Sequence, residues 1–237
     1  MRRRLLIGDR RVAASAALGS LLASGVTLGP ADAYGQERVS FPTPDSGVVI
    51  ADVYGTGSRG VVLAPGGRFS RTSWEPQARA LATAGFRVVA IDFRGRSESR
   101  GGRAGPDGVR FDVLAAVRYL RAGGARSVSV VGASFGGGAA AEAATESPGE
   151  IDRLVLLAHS PIDAPERVGG RKLFIIARGD TTAAGVPRLV EIRKHYERSP
   201  EPKELVVLEG TAHAQFLFQS DQGGRTLREI LRFLSAP

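Results

Sequence analysis

An α/β architecture, with a mostly parallel sheet of about seven to eight strands and helices on both faces, is predicted by three features of this chain. Short runs rich in Val, Ile and Leu recur at 48–53, 61–64, 87–91, 127–131, 153–158, 173–177 and 204–208. Most lack the polar alternation of a strand with one wet face, as expected of strands covered on both sides. Helix-length segments at 74–84, 107–122, 135–146, 186–197 and 222–234 alternate with these runs, the pattern that builds a parallel sheet from repeated strand–helix units. No linker, internal repeat or low-complexity tract divides residues 34–237, which read as one domain.

Taken in order, the runs at 48–53 and 61–64 read as an initial hairpin. The segment between them, Gly55-Thr56-Gly57-Ser58-Arg59-Gly60, satisfies G-x-G-x-x-G. A dinucleotide site needs the third glycine to open a helix whose N-terminus receives the pyrophosphate. Here Val61-Val62-Leu63 follows at once, so the glycines read as a hairpin turn and not as a phosphate loop. In the second helix Val109, Val113, Ala116, Val117 and Leu120 share one face at 3.6-residue spacing. Gly85 and Gly123 stand where C-terminal caps belong.

Composition narrows the chemistry. In 237 residues there is no cysteine, which excludes disulfides, thiolate metal sites and Cys nucleophiles. The formal net charge is +8, and nearly all of the 32 basic residues are arginine. They are interleaved with acids, as in Glu191, Arg193, Glu197 and Arg198, and no aromatic stacking series accompanies them. A solvated, arginine-rich surface therefore explains the charge better than a nucleic-acid partner. Neither a metal nor a cofactor is expected.

The first 33 residues are set apart. Arg2, Arg3, Arg4, Arg10 and Arg11 precede a weakly apolar stretch, and Ala31-Asp32-Ala33 fits a signal-peptidase site. The arginine pairs are similar to those of a twin-arginine signal. Residues 1–33 are expected to be a cleaved export signal that leaves no stable membrane span, since the apolar stretch is diluted by serine and glycine and is marginal for crossing hydrocarbon.

Gly132-Ala133-Ser134-Phe135-Gly136 is the one G-x-S-x-G of the chain. A strand-like run precedes it and a helix of very small side chains follows, so Ser134 falls on a tight strand-to-helix turn, with flanking glycines that leave the turn room. A serine hydroxyl becomes a nucleophile only when a base takes its proton. Of the three histidines, His195 lies in an Arg/Lys/Glu-rich helix and reads as a surface residue. His213 sits in the loop after the last strand, where the order Ser, acid, His puts the base. His159, at the end of an earlier strand, is the other possibility. For the acid, Asp180 follows the penultimate strand and Asp163 the strand before it; Asp180 is preferred and Asp163 is the rival.

With these residues in view, the sequence resembles the α/β-hydrolase superfamily, in particular its small dienelactone-hydrolase-like and lipase/esterase-like members, from about residue 45 to 235. Asp92-Phe93-Arg94-Gly95-Arg96-Ser97-Glu98-Ser99 is similar to the family's D-x-R-G-x-G-x-S stretch, with Ser97 where a glycine usually stands. Ala64-Pro65-Gly66-Gly67-Arg68-Phe69 is similar to its oxyanion loop, with Pro65 in place of the usual histidine, and Ser73-Trp74 opens the first helix as in many members. The turn before Asp180 is one residue shorter than the common form.

The resemblance implies a serine hydrolase cleaving small ester or related acyl substrates through an acyl-enzyme on Ser134, with thioester, amide or acyl-transfer chemistry open to the same residues. A catalytically inactive binding protein on this fold is the alternative of a different class. The resemblance also implies backbone N–H donors at Gly67 and Phe135 for the oxyanion, with Arg68 as neighbour. Where relatives carry a helical cap, this chain has about a dozen residues, 159–171, so the cleft should be open. Phe69, Trp74, Phe216 and Phe218 are candidates to line it. Arg94, Arg96, Arg100 and Arg103 cluster after the fourth strand, where one could pair a substrate carboxylate, although surface arginines are the simpler reading.

Overall fold

The computed structural model describes residues 35–237, and the expected export segment lies outside the described residues. Among these, a strand β1 (Glu37–Pro42) comes first, and the seven apolar runs become β2 (Val48–Tyr54), β3 (Arg59–Ala64), β4 (Phe86–Ile91), β5 (Ser127–Ala133), β6 (Arg153–Leu157), β7 (Arg171–Ala177) and β8 (Lys203–Leu208). The helices are α1 (Glu75–Thr83), α2 (Val109–Ala122), α3 (Phe135–Glu146), α4 (Arg188–Arg198) and α5 (Gly223–Ser235).

All eight strands join one sheet in the order β1-β2-β4-β3-β5-β6-β7-β8. β1 pairs antiparallel with β2, and β2 antiparallel with β4; every other pairing is parallel. Val61, Val62, Leu63, Val130, Leu154, Leu156 and Ile175 are wholly buried, as strands without polar alternation must be. Each such side chain contributes about 1.5–3 kcal/mol of burial.

The topology corrects the expected hairpin. β2 and β3 do not pair, because β4 lies between them. The hairpin is instead β1–β2, and β1, with its exposed and half-buried residues, carried too weak an apolar signal to be expected. Gly55–Gly60 is a crossover that passes under the end of α1. A Cβ on Gly57 would sit 2.0 Å from the Gly85 carbonyl oxygen, and one on Gly60 3.0 Å from Leu120. These glycines serve close approach, and Gly60 belongs to β3 itself. At the end of α2 the left-handed residue is Gly124, at φ +89, rather than Gly123.

The order of strands also positions the site. The chain leaves β3 for β4 in one direction along the sheet and leaves β4 for β5 in the other. With right-handed crossovers, α1 and α2 therefore lie on opposite faces. β3 and β5 are neighbours whose following segments depart in opposite directions. Their carboxyl ends make the switch point at which open α/β sheets hold their ligands.

Two buried arginines clamp the sheet's early half. Arg94 donates to both carboxylate oxygens of Asp112 and both of Asp45, at 2.8–3.2 Å. Hydrogen bonds from Arg94 hold the Asp45 carboxyl well below the usual carboxylate range, while burial pushes Asp112 up. Arg71 pairs with Asp92 and, at 3.1 Å, with Asp52. Arg94 is thus structural and does not face a substrate.

Candidate active site

Ser134 follows β5 with φ +48 and ψ −113, a conformation that favours glycine and stores on the order of 1–3 kcal/mol in any other residue. Its neighbours make that turn possible. A Cβ on Gly132 would lie 2.5 Å from the Gly136 carbonyl oxygen, and one on Gly136 2.3 Å from that of Ala64. The Ser134 N–H donates to the Leu157 carbonyl at 2.8 Å, and the Ser134 carbonyl accepts from Ser160 at 2.9 Å. The turn is therefore held from β6 as well as from α3, whose positive end lies behind the hydroxyl.

The hydroxyl meets a histidine from the far end of the chain. His213 Nε2 lies 2.9 Å from Ser134 Oγ, and its Nδ1 lies 2.7 Å from Asp180 Oδ2. Asp180 is 1% exposed and follows β7, while His213 follows β8. The two strands run side by side in register, with Ala177 opposite Leu208. The two loops are also tied by hydrogen bonds from Arg178 N to the Leu208 carbonyl and from Gly179 N to the Gly210 carbonyl. Among the described residues Asp180 Oδ1 accepts no hydrogen bond, and Arg188 Nε stands 3.7 Å from it.

The loop after β3 completes the group. A Cβ on Gly66 would sit 3.8 Å from Ser134 Cβ, and one on Gly67 3.8 Å from Phe135 Cβ. The N–H groups of Gly67 and Phe135 donate to no protein acceptor among the described residues. Arg96 donates to the Gly67 carbonyl and so orients that peptide. Gln215, 3% exposed, joins the histidine loop to this one. Its Oε1 accepts from Gly66 N at 3.3 Å, and its Nε2 donates to Ser73 Oγ at 2.7 Å. Nothing in the sequence singled out Gln215, because a glutamine two residues after a histidine has no motif.

Other expected residues fall elsewhere. Asp163 makes no hydrogen bond to His213; with Phe135, Glu142 and Arg167 it lines a separate cavity of about 520 Å³. His195, expected on the surface, is buried and stacks on His159 with ring centroids 5.1 Å apart; with Ile192 it forms the buried face of the otherwise polar α4. His159 donates from Nδ1 to the Ser160 carbonyl, 2.7 Å away, and burial lowers its pKa to about 4. Trp74 is wholly buried and packs edge-on against Phe218, so both belong to the core side of the site. Phe69 and Phe216, edge-to-face at 4.9 Å, line a cavity of about 400 Å³ that opens onto Ser134 and His213. Arg103 binds Ser46 and Arg100 bridges to Val48; neither lines that cavity. Among the described residues no group of three or more His, Asp or Glu is arranged to hold a metal ion. No helix there is long and apolar enough to cross a membrane.

Ser97, which stands where the family pattern has glycine, has φ +47. The residue type departs from the pattern while the backbone keeps it.

A parallel sheet covered on both faces, with a serine at a strained strand–helix turn at its switch point, defines a class before any comparison is made. The chain belongs to the α/β-hydrolase family: the family model described as alpha/beta hydrolase fold matches residues 61–194, more than half of it. Among solved structures it is similar to an esterase of Pyrococcus furiosus, with 18% identity, 85% of this chain and 92% of that one covered and a TM-score of 0.71. It is also similar to a dienelactone hydrolase of Anabaena variabilis, with 21% identity, 85% and 97% covered and a TM-score of 0.69. A predicted CIB-like hydrolase of Thermoplasma acidophilum gives 18%, 85% and 98%, and 0.70. At these identities the likeness is one of fold, without a sizeable cap in this chain: β6 and β7 are joined through a single three-residue 3-10 turn, Pro165–Arg167.

Proposed function

We propose that this chain is a serine hydrolase that cleaves small ester or related acyl substrates through an acyl-enzyme on Ser134. The observation that carries the reading is the continuous line from Asp180 through His213 to Ser134, with 2.7 and 2.9 Å contacts. In this reading His213 Nε2 takes the hydroxyl proton as Ser134 Oγ attacks the carbonyl carbon. Asp180 fixes the Nδ1–H tautomer and stabilises the imidazolium without taking its proton. The oxyanion of the tetrahedral intermediate accepts from the N–H groups of Gly67 and Phe135, each worth about 3–4 kcal/mol at such a site. The intermediate collapses as His213 gives its proton to the departing alkoxide. A water molecule then repeats the sequence on the acyl-enzyme, releasing the acid and restoring Ser134.

Labelling with a fluorophosphonate, followed by mass spectrometry, tests this. An adduct on Ser134 supports it; an adduct on another serine overturns the assignment of the nucleophile, and none favours a protein that kept the fold for binding. We further propose that residues 1–33 direct export and that 34–237 are one domain. The support is the basic, weakly apolar segment and its Ala31-Asp32-Ala33 site. A mature N-terminus at Tyr34 in envelope or medium is the expected finding, and intact Met1 in soluble cytosolic protein the contrary one.

A further inference from the structure

The cavity in front of Ser134 is lined by two guanidinium groups, Arg68 and Arg188, and by no carboxylate. Arg68 follows Gly67 directly and makes no hydrogen bond or ion pair among the described residues. Arg188 uses only Nε, at 3.4 Å from the Thr181 carbonyl and 3.7 Å from Asp180 Oδ1. Among the described residues neither of its Nη atoms has a hydrogen-bond partner, so the outer edge of the fork is available. Its position is also unfavourable for the fold: Arg188 is the first residue of α4, where the helix dipole disfavours a cation by a few tenths to about 1 kcal/mol. The N-terminus of α3 adds further positive potential behind Ser134. Phe69 and Phe216 line the same cavity and give it an apolar wall beside the two arginines.

We infer that Arg68 and Arg188 form an anion subsite, and that the favoured substrate is an ester carrying a carboxylate separated from the scissile bond by a short apolar spacer. This rests on the hydrolase reading above and adds the substrate class. Paired N–H donors of a guanidinium match a carboxylate bidentately. Asp180 already offsets part of the Arg188 charge, which leaves the pair matched to a singly charged head and not to a phosphate dianion. The site is half open to solvent, so the discrimination is set at about tenfold, well below that of a dry ion pair.

The test compares esters that differ only in charge. One pair is p-nitrophenyl hexanoate and the p-nitrophenyl half-ester of adipic acid; the other is phenyl acetate and 4-acetoxybenzoate, which puts the carboxylate on the alcohol side. After correction for hydroxide-catalysed rates, kcat/KM should favour the charged member of at least one pair by about tenfold or more. KM of that member should rise between about 20 and about 300 mM salt, with the neutral ester unaffected. In the Arg68→Met/Arg188→Met protein the preference should fall to about one, and Arg188→Lys should retain part of it. The salt series needs no variant, so it decides the matter even where the double variant folds poorly. A charged-to-neutral ratio near or below one in both pairs, with Ser134 labelled by fluorophosphonate, overturns the subsite and leaves the hydrolase reading standing. A preference that survives the double substitution or high salt also overturns it. Absence of both turnover and labelling overturns the hydrolase reading, and the subsite with it.

Discussion

Arginine appears in two settings in this molecule, and the contrast separates scaffold from cleft. Under β2 and β4, Arg94 is enclosed by Asp45 and Asp112, and its charge is fully spent within the protein. At the carboxyl ends of β3, β7 and β8, Arg68 and Arg188 keep most of their donors free. A charge in a dry interior must be paired to be tolerated at all. One at a wet rim is tolerated unpaired, and is then available to something from outside. The same division holds for the carboxylates: Asp112 answers a cation, whereas Asp180 answers a histidine whose other nitrogen contacts Ser134.

Removing the central groups of the cleft should have the largest effect and leave the scaffold intact. Ser134→Ala and Asp180→Asn are each expected to lower kcat by about 10⁴-fold with little change in Tm, while Asp163→Asn should cost less than about tenfold. Steady-state kinetics beside thermal melts check this; a large loss in Asp163→Asn with a small one in Asp180→Asn would exchange their roles. The scaffold should break in the opposite sense. Arg94→Met leaves two buried carboxylates without their cation, and about 3–5 kcal/mol of stability should disappear in urea titrations.

His159 tests the buried side of the same comparison by pH. Its pKa is lowered from 6.5 to about 4 in the folded protein, chiefly by burial. The unfolded chain therefore binds the extra proton first, and stability falls as pH drops from about 6.5 towards about 4. The loss over that window is about 3 kcal/mol. His159→Gln should flatten this dependence and leave the pH profile of the rate in place. The smallest effect expected is at the seam between the regions. Gln215→Ala should reduce kcat by about tenfold with KM nearly unchanged, since it loosens the Gly66–Gly67 loop without touching substrate, and Gln215→Glu should recover the contact to Gly66 N–H alone. A matching rise in KM would mean that Gln215 binds substrate directly.

Much of this was legible in the sequence because it depends on local rules. Ser134 stands between a strand and a helix in a glycine setting that has one purpose, and His213 and Asp180 follow the last two strands in a fixed order. What escaped was set by chain segments distant in sequence. That β2 joins β4 and not β3 depends on sheet order, which apolar runs do not encode. His195 turns inward because His159, 36 positions away, offers it a ring to stack on. Arg94 looked like its neighbours Arg96 and Arg100, and only the arrival of Asp45 and Asp112 sets it apart. Gln215 and Arg188 gain their meaning from loops that meet in space alone.

The brevity of the β6–β7 connection has a consequence for the fate of the acyl group. With only residues 158–170 between those strands, no helical cap among the described residues would cover an ester formed on Ser134 in the proposed reaction, and small hydroxylic solutes could approach it from the same side as water. The acyl-enzyme should therefore partition between competing acceptors. In water containing methanol or glycerol, the product ratio of new ester to free acid should follow the acceptor's concentration while the rate of acylation stays constant, so that on the proposed reaction one open wall would make the protein an acyl donor to whatever alcohol surrounds it.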